Sequence, residues 1–286
     1  MPLNSTSTTS LPPRQLMERC CRTPWVSYLP PFRMAPGVYY VSGNDWVACY
    51  LIDTGAGLIL IDTAMHETCY LMLECIRSLG YDPMDIKKIL LTHAHADHIG
   101  AARTMKELTG ARVYLGERDL FMIHERKDLI CSDGYTCGDI EPDEIYLDDK
   151  PIVQGNVSVR TISTPGHTPG CTSMIFDVKE KDGRIYTCGI HGGVGLNTLS
   201  REFLEQNGLP LSLQKEFCES LRMMDRLHVD ICLPSHTNQV GIVPLIGEIT
   251  DTHNPFVDES IWHELMHERL DRMEALMAGE RFICKS

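Results

Sequence analysis

The stretch Thr92-His93-Ala94-His95-Ala96-Asp97-His98-Ile99-Gly100 restricts the folds open to this chain more than any other part of it. Three histidines and an aspartate fall within six residues, directly after the largely apolar run Ile86-Lys87-Lys88-Ile89-Leu90-Leu91. Imidazole nitrogen and carboxylate oxygen are both good zinc ligands. Side chains alternate between the two faces of a strand and return at the helical period on a helix, so four ligands this close cannot share one face of either. The economical geometry is a loop at a strand end, with His93 and His95 turned one way and Asp97 and His98 the other. Such a loop carries parts of two adjacent metal sites, and the fold must bring the missing ligands to it.

The chain around this loop reads as short strands and helices in turn. Residues 1–35 look irregular, because Pro12, Pro13, Pro24, Pro30 and Pro31 interrupt regular structure. Strands are predicted at 38–41, 46–52 and 58–61, the last two ending in the near-repeats Leu51-Ile52-Asp53-Thr54 and Leu60-Ile61-Asp62-Thr63 around a Gly-Ala-Gly turn, which reads as a hairpin. A helix at 66–79, the strand at 86–91, a helix at 99–108, a strand at 111–115 and a short helix at 117–125 follow. Residues 127–144 read as a polar surface loop. Strands return at 152–153, 157–163, 172–178 and 184–188, then a glycine-rich loop at 189–195, a helix at 213–227, a strand at 229–233 and a helix at 260–278. Strands then helices, twice over, predict two sheets packed face to face with helices outside. No composition break marks a linker, so residues 21–286 are expected to form one domain, preceded by a disordered segment at 1–20.

Charge and cysteine content narrow the function classes. A net charge of −13 argues against nucleic acid or an anionic membrane as partner, since both need clustered Lys and Arg. The first ten residues are polar and do not look like a secretory leader, so the expected location is cytoplasmic if the chain is full length, and periplasmic or secreted if a leader has been removed. Twelve irregularly spaced cysteines then read mostly as reduced thiols, with Cys131 and Cys137 the pair expected to bridge in an oxidising compartment.

Two further histidines sit in loops at predicted strand ends. One lies in Thr164-Pro165-Gly166-His167-Thr168-Pro169-Gly170, where two Pro-Gly pairs fix the backbone on either side. The other lies in Leu233-Pro234-Ser235-His236-Thr237. Together with the first loop they offer a third ligand to each of two metals.

This set of residues, His93-x-His95-x-Asp97-His98 followed by His167 in a Gly-His-Thr-Pro-Gly loop and then His236, resembles the metal-ligand pattern of the metallo-β-lactamase superfamily. The similarity spans residues 25–278, with Asp62 of Leu60-Ile61-Asp62-Thr63 matching a strand-end aspartate of the family. The resemblance implies an α/β fold of the αββα four-layer sandwich type, with two zinc ions in a cleft at the sheet edges. Many branches of the superfamily carry a metal-bridging Asp after the strand that follows the third His. Here that strand runs into Gly189-Ile190-His191-Gly192-Gly193, so the chain looks most like the third subclass of metallo-β-lactamases. By that match His93, His95 and His167 hold the first zinc, and Asp97, His98 and His236 the second. The serines that many members use to bind a substrate carboxylate are missing from 189–197, and Asn197 is the candidate replacement.

The chemistry implied is hydrolysis of a small-molecule substrate. Two zinc ions sharing a water bring its pKa towards neutral, the resulting hydroxide attacks an amide carbonyl, and Asp97 orients the nucleophile and carries its proton. The first expectation is therefore a β-lactamase. The second is a cytoplasmic metallo-hydrolase of another ester, lactone, thioester or amide, favoured by the absent leader and the altered 189–197 loop. The third, from another class, is a non-hydrolytic metal or redox protein.

Other histidines compete for attention. His263-Glu264-Leu265-Met266-His267 fits an H-E-x-x-H zinc motif, but it lies in a charged amphipathic segment with no evident third ligand, and reads as a solvated helix face. His191, between Ile190 and a run of glycines, is a candidate to line the cleft. His66, His124, His228 and His253 have no partner spacing and read as structural or exposed.

Overall fold

The computed structural model describes residues 12–130, 137–147, 149–250 and 252–279. It begins with a helix, α1 (Pro13–Arg22), where the prolines had suggested irregular chain. Proline in the first helical turn gives up an N–H that has no intrahelical acceptor anyway, so Pro13 starts α1 rather than blocking it. Leu16, Met17, Cys20 and Cys21 recur at helical spacing and are buried with Val41, Trp46, Met65 and Cys69. The expected disorder is thus corrected for residues 13–20, while residues 1–11 lie outside the described residues.

The first sheet has seven strands in chain order: β1 (Phe32–Ala35), β2 (Val38–Tyr40), β3 (Tyr50–Asp53), β4 (Leu58–Ile61), β5 (Ile86–Leu90), β6 (Arg112–Leu115) and β7 (Glu144–Ile145). β1 to β4 form an antiparallel meander, including the hairpin with Leu51 opposite Leu60. β4 to β7 are parallel, and their crossovers carry helices: α2 (Cys69–Ser78), then α3 (Ala96–Ile99) and α4 (Ala102–Thr109), then α5 (Leu120–His124). The predicted surface loop at 127–144 contains a 3-10 turn, Lys127–Ile130, which buries Leu129 and Ile130, and reaches β7 at its end.

The second sheet has the order β12-β11-β10-β9-β8, from β8 (Ile152–Gln154), β9 (Val157–Ser163), β10 (Thr172–Lys179), β11 (Ile185–Ile190) and β12 (Ile231–Cys232). β8 to β11 are antiparallel, and β12 joins β11 in parallel. Between β11 and β12 run α6 (Arg201–Gln206) and α7 (Ser212–Asp225). After β12 come α8 (Ile242–Leu245) and α9 (Glu259–Met277). α6 was missed in the sequence, although Ser200 caps it by accepting from Phe203 N–H at 3.1 Å.

Three apolar layers hold these parts together. Between the sheets, Tyr40, Tyr50, Ile52, Ile59, Ile61 and Leu90 meet Val159, Met174, Phe176, Cys188 and Ile190. α1, α2 and α4 cover the far side of the first sheet, and α6, α7 and α9 the far side of the second. The result is helix, sheet, sheet, helix, the four-layer arrangement expected. Among the described residues no helix is long and apolar enough to cross a membrane. The ten described cysteines are unpaired; Cys131, half of the expected bridge, lies outside the described residues.

Candidate metal centre

The C-terminal end of β5 delivers His93 and His95, and the chain then turns at once into α3, which carries Asp97 and His98. The predicted loop is therefore half loop and half helix. The β9–β10 connection adds His167 and the segment after β12 adds His236, so both sheets contribute from the same edge. Among the described residues, two groups of three could hold a metal ion: His93, His95 and His167, and Asp97, His98 and His236, the ligand atoms of each group lying within 4.8 Å of one another.

The outer nitrogens decide which atoms face inward. His93 Nδ1–H donates to Gly192 O at 2.8 Å, leaving Nε2 buried with no protein partner. His167 Nδ1–H donates to Gly195 O at 2.9 Å, so its Nε2 lone pair faces His95 Nδ1 at 3.0 Å. His98 Nδ1–H donates to Asp62 Oδ2 at 2.8 Å, which turns its Nε2 to within 3.3 Å of His236 Nε2. Asp97 Oδ2 lies 3.6 Å from His98 Nε2 and 3.5 Å from His236 Nε2. Imidazole lone pairs converging without intervening donors, one of them orphaned in the interior, fit a divalent cation with N and O ligands. A three-nitrogen set beside a two-nitrogen, one-oxygen set suits zinc.

Burial keeps most of these imidazoles neutral. It drives His93 and His95 well below the usual histidine value, with neighbouring imidazoles adding to the effect. It also takes His167 down to about 4 and His236 down to about 3. Burial opposes ionisation of Asp97, but His98 and His236 outweigh it and hold the carboxyl below its usual range. His98 is the exception: burial lowers it, and the carboxylates of Asp97 and Asp62 overcome that and raise it.

Each ligand is held by a second layer of contacts. Asp62, at a left-handed φ of 56°, bonds His98 and also accepts from Thr92 N–H and Thr92 Oγ1, both at 2.8 Å. His236 is fixed by an unexpected crossing: residues 46–48, the start of the strand predicted at 46–52, pair instead with residues 235–237, which follow β12. Asn44 Oδ1 accepts from Trp46 N–H and Val47 N–H, shaping the turn. Val47 then bridges His236, Ala48 N–H donates to Ser235 O and Thr237 N–H to Trp46 O. Gly193 and Gly195 press on the His167 ring, where an added Cβ would come within 2.6 and 2.7 Å of it, so the glycines of the 189–195 loop make room for a ligand rather than for a phosphate.

Residues 45–180 match the Metallo-beta-lactamase superfamily. The chain carries a metallo-β-lactamase superfamily domain. It is 26% identical to BJP-1, a subclass B3 metallo-beta-lactamase of Bradyrhizobium japonicum, whose crystal structure aligns with a TM-score of 0.79 over 91% of this chain and 97% of that one. It is 32% identical over 135 residues to YobT of Bacillus subtilis, covering 45% of this chain and 56% of YobT. It is 27% identical over 165 residues to an N-acyl homoserine lactonase of a Bacillus species, covering 49% of this chain and 61% of the lactonase. The chain thus spans a little over half the length of these two relatives.

Beyond the residues matched to the metallo-β-lactamase superfamily lie the remaining sequence candidates, Asn197, His191, His263 and His267. Asn197 is exposed, and its Oδ1 would lie 3.0 Å from a Cβ on Gly195, beside the His167 ring. His191, a candidate to line the cleft, is 2% exposed, with its ring edge-on to Phe217 of α7. His263 and His267 are not simply solvated: Asp225, at the end of α7, accepts from His263 Nδ1 at 2.8 Å and His267 Nε2 at 3.1 Å, tying α7 to α9. Asp119 was missed altogether. It is fully buried under the first group, and burial pushes its carboxyl up to about 6 in spite of three hydrogen bonds that pull it down. In the sequence it sits in Glu117-Arg118-Asp119, which reads as a charged helix start with nothing to mark its burial.

Proposed function

We propose that this chain is a zinc-dependent hydrolase that opens the amide of a β-lactam ring, each group of three ligands holding one zinc ion. The observation that carries the reading is the second group, where His98 and His236 join Asp97 and no aspartate enters from the end of β11. The likeness to BJP-1 over 91% of the chain supports it. Zinc bound there would bring the pKa of a shared water towards neutral and polarise a carbonyl oxygen.

The chain's own groups supply the rest. The neutral imidazoles of His93, His95 and His167 are ready to bind a cation without first losing protons. Asp97, held ionised beside His98 and His236, accepts the proton of the attacking water and returns it to the departing nitrogen. His95 and His167 are 5% and 8% exposed, so the reacting carbonyl meets a site with little bulk water.

A second reading, opening of a lactone or related ester, is favoured by the 189–197 loop. Glycines pack against His167 there and no serine is present to hold a lactam carboxylate. The relative named as a lactonase agrees with it. The test is to offer zinc-loaded protein a chromogenic cephalosporin and, separately, an N-acyl homoserine lactone. Cephalosporin turnover supports the first reading. Lactone turnover alone replaces it with the second, and a zinc-loaded protein that turns over neither contradicts both.

A further inference from the structure

The two loops of the first metal group come from different sheets. His93 and His95 follow β5 of the first sheet, and His167 lies between β9 and β10 of the second. Asp119, on the short connection between β6 and α5, touches both. Its Oδ2 accepts from Ala94 N–H at 2.9 Å, the amide between His93 and His95. The same oxygen accepts from Thr168 Oγ1 at 2.8 Å, next to His167. Its Oδ1 accepts from Gly170 N–H at 2.6 Å, further along the His167 loop.

The backbone is cut to permit this contact. A Cβ on Gly116 would lie 1.9 Å from Gly170 O, and one on Gly170 would lie 2.4 Å from Asp119 N. Glycine at both places therefore lets the β6–α5 connection seat itself against the His167 loop. None of these contacts reaches the second group, whose supports are Asp62 and the pairing of residues 46–48 with 235–237.

We propose that Asp119 is a positioning residue for the first metal group alone, a buried carboxylate that sets the separation of the His93/His95 loop from the His167 loop. This rests on the metal reading of those histidines and not on the identity of the substrate. An apolar side chain in its place would leave the amides of Ala94 and Gly170 unpaired in the interior, and the loops would drift to find other acceptors. In Asp119→Asn the amide group can keep one acceptor, but it turns an N–H₂ towards either Gly170 N–H or the Ala94 and Thr168 donors.

The test measures zinc retention by the zinc-loaded full chain against a chelator, with folding followed by circular dichroism. His236→Ala isolates the first group and His167→Ala isolates the second. Adding Asp119→Asn is expected to weaken zinc retention by about 10–100-fold in the His236→Ala chain and to leave the His167→Ala chain unchanged. If Asp119→Asn fails to fold, Thr168→Val, which deletes one of the three bonds, is expected to show a smaller loss with the same selectivity. Equal weakening in both backgrounds, or none in either, overturns the proposal. A wild-type chain that binds no zinc at His93, His95 and His167 overturns it together with the metal reading.

Discussion

Asp62 and His98 form a fully buried pair, with Oδ2 of the carboxylate accepting the Nδ1–H of the imidazole at 2.8 Å. That one bond selects the tautomer of His98 and points Nε2 at Asp97 and His236. Asp62 takes a left-handed backbone to make it and anchors Thr92, the residue before the first ligand, with the same carboxylate.

Asp62→Asn therefore acts on the second group through orientation. The amide can offer its N–H₂ to His98 and reverse the tautomer, turning an N–H into the metal position. Zinc affinity at Asp97, His98 and His236 is expected to fall by about 10–100-fold, measured by chelator competition in a His167→Ala chain. An unchanged affinity would show that His98 does not depend on this bond.

Asp97 joins ligation and proton transfer. Asp97→Asn is expected to lower kcat by about 10²–10⁴-fold and to weaken zinc at the second group, read by steady-state kinetics on the substrate found active and by metal analysis. Full activity in this variant contradicts the assigned role.

The metal-free chain has a pH dependence whose sign follows from its imidazoles. His93, His95, His167, His191 and His236 all titrate below the ordinary histidine value when folded, with His167 at about 4 and His191 and His236 at about 3. An unfolded chain binds protons there that the folded chain refuses. Each such group thus contributes stability that is complete above the unfolded value of about 6.5 and is lost as pH falls from there towards the folded values. His98 and Asp119 oppose this: both are raised on folding, Asp119 to about 6, and their contributions are lost as pH rises. The five lowered imidazoles and the lowered Asp97 outnumber His98, Asp119 and the partly buried Asp45, which is also raised, and predict that the denaturant midpoint of the metal-free chain drops between about pH 6.5 and pH 4.5. A flat or rising midpoint over that interval would show the imidazoles to be solvated rather than buried.

The N-terminal helix gives a stability test independent of metal. Leu16 is 1% exposed and lines a small recess with Trp46 and Thr237, next to His236. Leu16→Ala is expected to cost about 2–5 kcal/mol, measured by denaturant unfolding. A cost near zero would mean that α1 is not docked.

The ligands were legible in the sequence because ligating side chains at strand ends leave a compact signature: His93 to His98 in six residues, and His167 boxed between two Pro-Gly pairs. The strand and helix order was legible for a related reason, since β9 buries alternate residues and α7 helically spaced ones, which periodicity detects. The supports were not legible. Asp119 and Asp225 act across long separations in the chain, joining Ala94 to Gly170 and α7 to α9, and no local pattern separates a buried carboxylate from an exposed one. α1 was hidden by its prolines, which mark a break in most settings and a helix start in this one. Residues 46–48 read as the start of a strand, and nothing local marks that they pair with residues 235–237, far along the chain, to hold His236.

The most direct measurement is anomalous diffraction at the zinc edge from crystals of the zinc-loaded protein. The expected map has two peaks per chain, one among His93, His95 and His167 and the other among Asp97, His98 and His236. A map with no peak in one of these groups, or with zinc held instead at His263 and His267, would contradict the two-metal centre.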